Sequence, residues 1–289
     1  MDALLILAIA PAAVLIFYFY IRDRYEPEPQ GLVFRIFLIG FFSIIPAAIL
    51  EKLGDFILPA YAPTTKIAIS FTYTFFVVGI SEEFCKYLTV RLFVYNNKEF
   101  NEPYDGILYA VAASLGFATS ENILYVMQGG VGVGVVRAVL SVPAHALFGA
   151  TIGYFLGIAK FSKKGVIEIS FQLIGFLFAA FMHGVYDFFV LSNQILLILL
   201  VLPLMGLMWG LGHIYIWHAL SLSPFKRIFT KAIPVLPSKP TSSSVEQTGP
   251  PLNVAKARIT LHSIHFCPLC GNSVKDSFSF CPYCGHKLV

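Results

Sequence analysis

The chain has 289 residues, of which 57% are hydrophobic and only 12% charged, with a mean hydropathy of +0.76. A soluble domain carries about 25% charged residues, so this chain lacks the charge to coat a globule in water, which excludes an ordinary cytosolic enzyme and an intrinsically disordered protein. The formal charge of +4 is uneven: residues 1–219 hold 12 Lys and Arg against 14 Asp and Glu, while 220–289 hold 8 against 2.

In chain order, seven apolar stretches are long enough to cross a hydrocarbon core, which takes about 20 helical residues. They run 3–21, 32–53, 68–94, 105–127, 131–159, 166–190 and 194–219. None shows the short alternation of a membrane barrel, so the fold class is an all-α polytopic membrane protein with about seven transmembrane helices. The first stretch reads as an uncleaved span, because Asp2 and no Lys or Arg precedes it and no small-residue cleavage site follows. Positive residues set the orientation. Ten of them, from Arg22 to Lys231, follow spans one, three, five and seven, whereas the alternate loops offer Lys66 and Arg137. The expectation is a multi-pass cell-membrane protein with its N-terminus outside and its C-terminus in the cytoplasm.

Three regions follow: a transmembrane domain over 1–220, a flexible linker over 221–263 and a small module over 264–289. The linker is rich in Pro, Ser and Thr. The module carries Cys267-Pro-Leu-Cys270-Gly and Cys281-Pro-Tyr-Cys284-Gly, two knuckles ten residues apart. Four thiolates so spaced make a tetrahedral Zn²⁺ site, and the resemblance is to a zinc ribbon. A core this small needs the metal to fold. Disulfides are disfavoured in the cytoplasm. The ribbon is open to three readings: a structural knob, a docking module for a cytoplasmic partner, or a nucleic-acid binder using Lys256, Arg258, Lys275 and Lys287; a nucleic-acid partner is not expected. Cys85 stands alone inside a span and reads as a small apolar packing residue.

Ionisable residues inside the spans are the informative feature, since each costs about 2.5–3.5 kcal/mol at a helix centre on insertion scales. Span three carries Ser81-Glu82-Glu83-Phe84-Cys85-Lys86, span four Glu121-Asn122, span five Pro143-Ala-His145, and span six His183-Gly-Val-Tyr-Asp187. Glu82 with Lys86 and His183 with Asp187 each share a helix face. One lysine cannot neutralise four acids, so these groups are expected to meet in a polar cavity. Pro143 frees the carbonyl of Val139 and predicts a kink just before His145. Gly149, Gly153 and Gly157 then form a small-residue ridge along which a neighbouring helix can approach.

The set Glu82-Glu83-x-x-Lys86, Phe117-x-x-x-Glu121, His145 and His183-x-x-x-Asp187, in this order on successive spans, resembles the PrsW family, a branch of the glutamic-type intramembrane proteases related to the CAAX prenyl proteases. Asp105-Gly106, Gly116-Phe117-Ala118 and Tyr186-Asp187 also fit, and the match covers roughly residues 15–215. The resemblance implies an intramembrane endopeptidase acting on a membrane-anchored protein in the lipid bilayer, with cleavage of an anti-sigma factor as the family theme. It implies Glu82 as the group that activates water, Glu121 sharing the proton, Glu83 as secondary carboxylate and Lys86 as supporting charge. His145 and His183 would orient water or donate to the oxyanion, and Asp187 would fix the tautomer of His183. No cofactor is expected at that site, although two His and three Glu could ligate a metal. The alternative function is a proton-coupled transporter using the same groups. No Gly-x-Ser-x-Gly or His-Glu-x-x-His occurs, so serine and zincin mechanisms are disfavoured.

Metal analysis of the purified full-length chain should find about one zinc per molecule, lost when Cys267 or Cys284 becomes Ser. A metal-free tail under reducing conditions would refute the ribbon.

Overall fold

The computed structural model describes residues 2–57, 66–162, 164–192, 194–226, 265–266 and 273–274. The four ribbon cysteines and nearly all of the linker lie outside the described residues. The chain divides into two units, Met1–Ser223 and Pro224–Val289.

Among the described residues, the regular structure of the first unit is helical: α1 (Asp2–Arg22), α2 (Gln30–Phe42), α3 (Ile44–Ile57), α4 (Lys66–Thr72), a π-helical segment (Tyr73–Gly79), α5 (Ile80–Phe93), α6 (Pro103–Val139), α7 (Ser141–Phe161), α8 (Val166–Leu191), α9 (Ile195–Leu199) and α10 (Val201–Ser221). Helices are the form that lets an apolar chain satisfy its own backbone donors and acceptors in lipid. Among the described residues, five stretches are long and apolar enough to cross a membrane: Ala3–Arg22, Gln30–Ile57, Pro103–Phe161, Val166–Leu191 and Ile195–Ser221. Large exposed apolar side chains such as Val14, Phe17, Phe56, Leu92 and Trp217 suit contact with lipid. In the second unit, His265–Phe266 and Ser273–Val274 form a short antiparallel pair with His265 opposite Val274.

The 59-residue stretch Pro103–Phe161 would reach about 88 Å if straight, nearly three times the hydrocarbon thickness. It folds back instead. Gly130 takes φ 71° and ψ −164°, a conformation open to a residue without a Cβ. Beyond it the chain returns antiparallel, so that Arg137 reaches Asn122 and Gly134 packs against Val126 and Leu7. Residues 103–129 and 131–161 thus form a helical hairpin, as the spans at 105–127 and 131–159 predict. The returning arm breaks at Leu140, three residues before Pro143, where the predicted kink belongs. Two breaks are not visible in the hydropathy: the second stretch divides at Ser43, and the third opens with the π-helical segment.

The first arm of α6 is the centre of the bundle. From Pro103 to Ser120 it is buried on every side, and α1, α2 and α7 pack around it. Its closest neighbour is α7, whose glycine ridge runs along it. A Cβ on Gly153 would fall on the carbonyl oxygen of Gly106, and one on Gly157 on that of Pro103, both far inside van der Waals contact. Dispersion and close backbone approach, not a hydrophobic drive, hold helices together in lipid. Cys85 is a free, buried thiol packed with Ala47 and Phe117, as expected of a small apolar residue.

Gly153→Ala should therefore force the hairpin apart and destabilise the protein by about 1–3 kcal/mol. Gly206→Ala on α10, where an added methyl meets open space, should be neutral or slightly stabilising. Thermal unfolding in detergent reads both, and equal effects would refute the packing argument.

Candidate active site

The polar residues of four helices meet in one place. Glu82, Glu83 and Lys86 come from the first turns of α5, Glu121 from α6, His145 from α7, and His183 and Asp187 from α8. The approach of α8 depends on Gly79 at the end of the π-helical segment. A Cβ there would strike the carbonyl of Ala180 and the amide of Gly184.

Lys86 is the hub. Its buried Nζ donates to Glu82 Oε2 at 3.0 Å, to Glu83 Oε1 at 2.7 Å and to His145 Nδ1 at 2.9 Å, and it lies 4.2 Å from the centre of the Phe117 ring. An ammonium has no acceptor capacity, so Nδ1 of His145 is the acceptor and a neutral ring carries its hydrogen on Nε2. That Nε2 lies 2.9 Å from Glu121 Oε2. Glu121 Oε2 also stands 3.0 Å from Arg137 Nη2, while Arg137 Nε donates to Asn122 Oδ1 at 2.8 Å and Asn122 Nδ2 donates to the Ala8 carbonyl.

On the other side, His183 Nδ1 lies 2.8 Å from Glu83 Oε1. A carboxylate accepts, so Nδ1 donates. His183 Nε2 then faces Asp187 Oδ2 at 3.4 Å and Glu82 Oε2 at 3.8 Å. The ring is stacked on Phe148 and edge-on to His145. All seven residues singled out in the sequence are therefore in one network, although their depths along the spans left this open.

The two adjacent glutamates differ sharply. Glu83 is fully enclosed between Lys86 and His183. Glu82 lines a cavity of about 580 Å³, together with Glu121, Asp187, Glu51, Arg137 and Tyr186. Glu51 and Arg137 were missed by the sequence reading. Arg137 reads as an outer-loop charge because it follows the glycine-rich 128–134 segment, and only the reversal at Gly130 turns it back to Glu121. Glu51 is a lone acid within an apolar stretch, a signal that the cost of an intramembrane charge could have raised. Ser141, also in the cavity wall, pairs with Tyr186 at 2.9 Å and has no imidazole partner among the described residues, so it carries no sign of a serine nucleophile.

Glu82, Glu83, His145 and His183 each present a ligand atom within 4.8 Å of the others. Two imidazoles and two carboxylates suit a zinc-type ion. In this fold, however, the seat is taken. Lys86 holds three of these four side chains at 2.7–3.0 Å, and a divalent ion among the same donors would lie against an ammonium. With Lys86 in place the four side chains do not fit a metal.

Comparison with known proteins follows the same residues. The family described as "PrsW family intramembrane metalloprotease" matches residues 28–211, and a zinc-ribbon domain matches 266–288. Among curated relatives, the chain is 39% identical over 194 residues to Protease PrsW of Geobacillus kaustophilus (strain HTA426), covering 67% of this chain and 82% of that one. It is 36% identical over 214 residues to Protease PrsW of Bacillus subtilis (strain 168), covering 73% and 93%, and 32% identical over 213 residues to Protease PrsW of Clostridioides difficile (strain 630), covering 72% and 88%. No solved structure matches. The match to the family spans α2 to α10, with every residue of the buried network inside it, and the chain belongs to the PrsW family of intramembrane proteases.

Proposed function

We propose that this membrane protease cleaves a peptide bond of a membrane-anchored protein by a glutamate-activated water, with Glu82 as the base. The observation that carries this reading is the division of labour between the two neighbouring acids. Glu82 lines the cavity, where water and a peptide can enter, whereas Glu83 is sealed behind it and spent on Lys86 and His183. In the proposed reaction Glu82 takes a proton from water as the oxygen attacks the peptide carbonyl carbon. The oxyanion is stabilised by the guanidinium N–H groups of Arg137 at the cavity wall. As the C–N bond breaks, Glu82 returns its proton to the leaving amine, releasing an acid and an amine.

The remaining residues hold this geometry. Lys86 keeps Glu82 and Glu83 at fixed places, Glu83 fixes the hydrogen of His183 on Nδ1, and Asp187 faces the other ring nitrogen. Glu121 stands between His145 and Arg137 on the opposite wall and can share a proton with the attacking water. No step is assigned to a metal, because three of the four side chains that would hold one are committed to Lys86. The transporter alternative loses its support, since the relatives that match are proteases.

Seven crossings are the count we favour: the five qualifying stretches, the hairpin counted as two, and the charged Lys66–Phe93 stretch, whose acids and lysine keep it off a purely hydrophobic criterion. With the N-terminus outside, the cavity opens on the side of Gly130 and the zinc ribbon stands in the cytoplasm as a structural or docking module. Labelling intact cells at a cysteine introduced at Gly132 should succeed, while the native tail cysteines stay protected. The reverse pattern would overturn the orientation.

The mechanism is tested on purified enzyme with a cleavable transmembrane peptide. Glu82→Gln should lower kcat/KM by about 10²–10⁴-fold, the range for a general base, with little change in thermal stability. Glu83→Gln should instead cost about 3–5 kcal/mol of stability, because it removes the buried negative charge that faces Lys86 and His183. If both variants retain activity within about tenfold, some 1.4 kcal/mol, the glutamate mechanism fails. Loss of activity on chelation in a version lacking residues 230–289 would make the site metal-dependent.

A further inference from the structure

A second group of buried acids lies at the far end of α6, about 24 Å along the helix from Glu121 at 1.5 Å per residue. Asp23 follows α1, Glu28 lies in the connection to α2, and Asp105 sits in the first turn of α6. They are 5%, 1% and 0% exposed. Each offers an oxygen within 4.8 Å of the oxygens offered by the other two.

Part of this chemistry is spoken for. Asp105 Oδ2 accepts the amides of Asn101 and Glu102 at 2.7 Å each, capping α6, and Glu28 Oε2 accepts the hydroxyl of Tyr109. The other oxygens are not. Asp105 Oδ1, Glu28 Oε1 and both oxygens of Asp23 are buried with no donor in good hydrogen-bond geometry among the described residues; what lies near Asp23 is the Glu28 backbone and the Glu102 carboxyl, and near Glu28 the Asp105 carboxyl. Glu102, fully buried beside them, adds a fourth acid that acts on Asp23. The cation that acts on Asp105 is Lys160, and it spends its ammonium on the carbonyls of Tyr95 and Asn97. Carboxylates out of water with no countercharge cost several kcal/mol each.

We infer that Asp23, Glu28 and Asp105 form a binding site for one hard divalent cation of the Mg²⁺ or Ca²⁺ class, separate from the peptidase cavity. The donor chemistry favours such an ion: three carboxylates from three segments, no sulfur and no imidazole. The size fits as well. Cation–oxygen bonds run about 2.0–2.1 Å for Mg²⁺ and 2.3–2.6 Å for Ca²⁺, and two bonds of 2.4 Å end to end span the 4.8 Å limit within which the three oxygens lie. The ion would tie the α1–α2 connection to the N-terminus of α6, next to the hydroxyl of Tyr104, which already bonds the Phe19 carbonyl. It is a structural clamp on the helix that carries Glu121.

The test uses the full-length protein in detergent, its ribbon loaded with zinc, then dialysed free of other divalent ions. Titration with MgCl₂ or CaCl₂ should raise the unfolding temperature and, by equilibrium dialysis, load about one ion per chain. Asp23→Asn and, separately, Glu28→Gln should weaken that binding at least tenfold and abolish the thermal shift. Asp55→Asn, at an exposed acid of α3 that acts on Tyr73 and not on the cluster, should leave both unchanged. If neither variant accumulates, Tb³⁺ added to the wild type should show emission sensitised by the adjacent Tyr109 and displaced by Ca²⁺. Folded wild type that takes up neither Mg²⁺ nor Ca²⁺ at millimolar concentration, variants that bind as well as wild type, or Tb³⁺ without sensitised emission would each overturn the proposal.

Discussion

A primary ammonium buried among two carboxylates and an imidazole is tolerable in a hydrocarbon slab only if all four groups arrive together, and Lys86 sets that condition for the membrane body. Its contacts at 2.7–3.0 Å join α5 to itself and to α7. Through Glu83 and His183 the network extends to α8, and through His145 to Glu121 on α6. Remove the ammonium and two carboxylates are left close together in low dielectric, which would unseat one of them. A structural requirement therefore keeps Glu82 on the cavity wall and Glu83 behind it. In this fold the network that stabilises the bundle is also the proposed site.

The helices can meet that requirement because small residues let their backbones touch. The glycine ridge of α7 seats its carbonyl neighbours on α6 almost atom against atom, and Gly79 admits α8 at the level of Gly184. The Gly79 contact lies within a few residues of Glu82 and Glu83, and the ridge begins at Gly149, one turn after His145. The polar network is thereby braced on rigid helix faces, which hold catalytic geometry better than loops do. The reversal at Gly130 completes the far wall by returning Arg137 to Glu121.

The two ends of α6 use buried acids in opposite ways. Toward Glu121 the carboxylates are matched by Lys86, Arg137 and two imidazoles, so the charges are paired and one acid is left facing the cavity. Toward Asp105 the acids outnumber the nearby cations and retain oxygens with no donor in good hydrogen-bond geometry. The same helix presents paired charge at the proposed peptidase site and unpaired charge at the proposed cation site. Since α6 is buried on every side from Pro103 to Ser120, a displacement at Asp105 is carried along a stiff element toward Glu121.

What the sequence determined was local and periodic. Apolar runs of the right length fixed the helical class, and the 3.6-residue repeat put Glu82 with Lys86 and His183 with Asp187 on shared faces, as the 3.0 and 3.4 Å contacts bear out. The four motifs in order were enough to indicate the family, and the glycine spacing indicated the tight α6–α7 face. What the tertiary structure decided was every relation between helices. Rotation and depth are not encoded in a period, so the sequence could not tell which of two adjacent glutamates meets the cavity. Nor could it bring Arg137 back to Asn122 across the turn at Gly130, or gather Asp23, Glu28 and Asp105 from three segments. Those contacts exist because buried charge must find a partner wherever packing allows, and packing is settled only when the whole bundle closes.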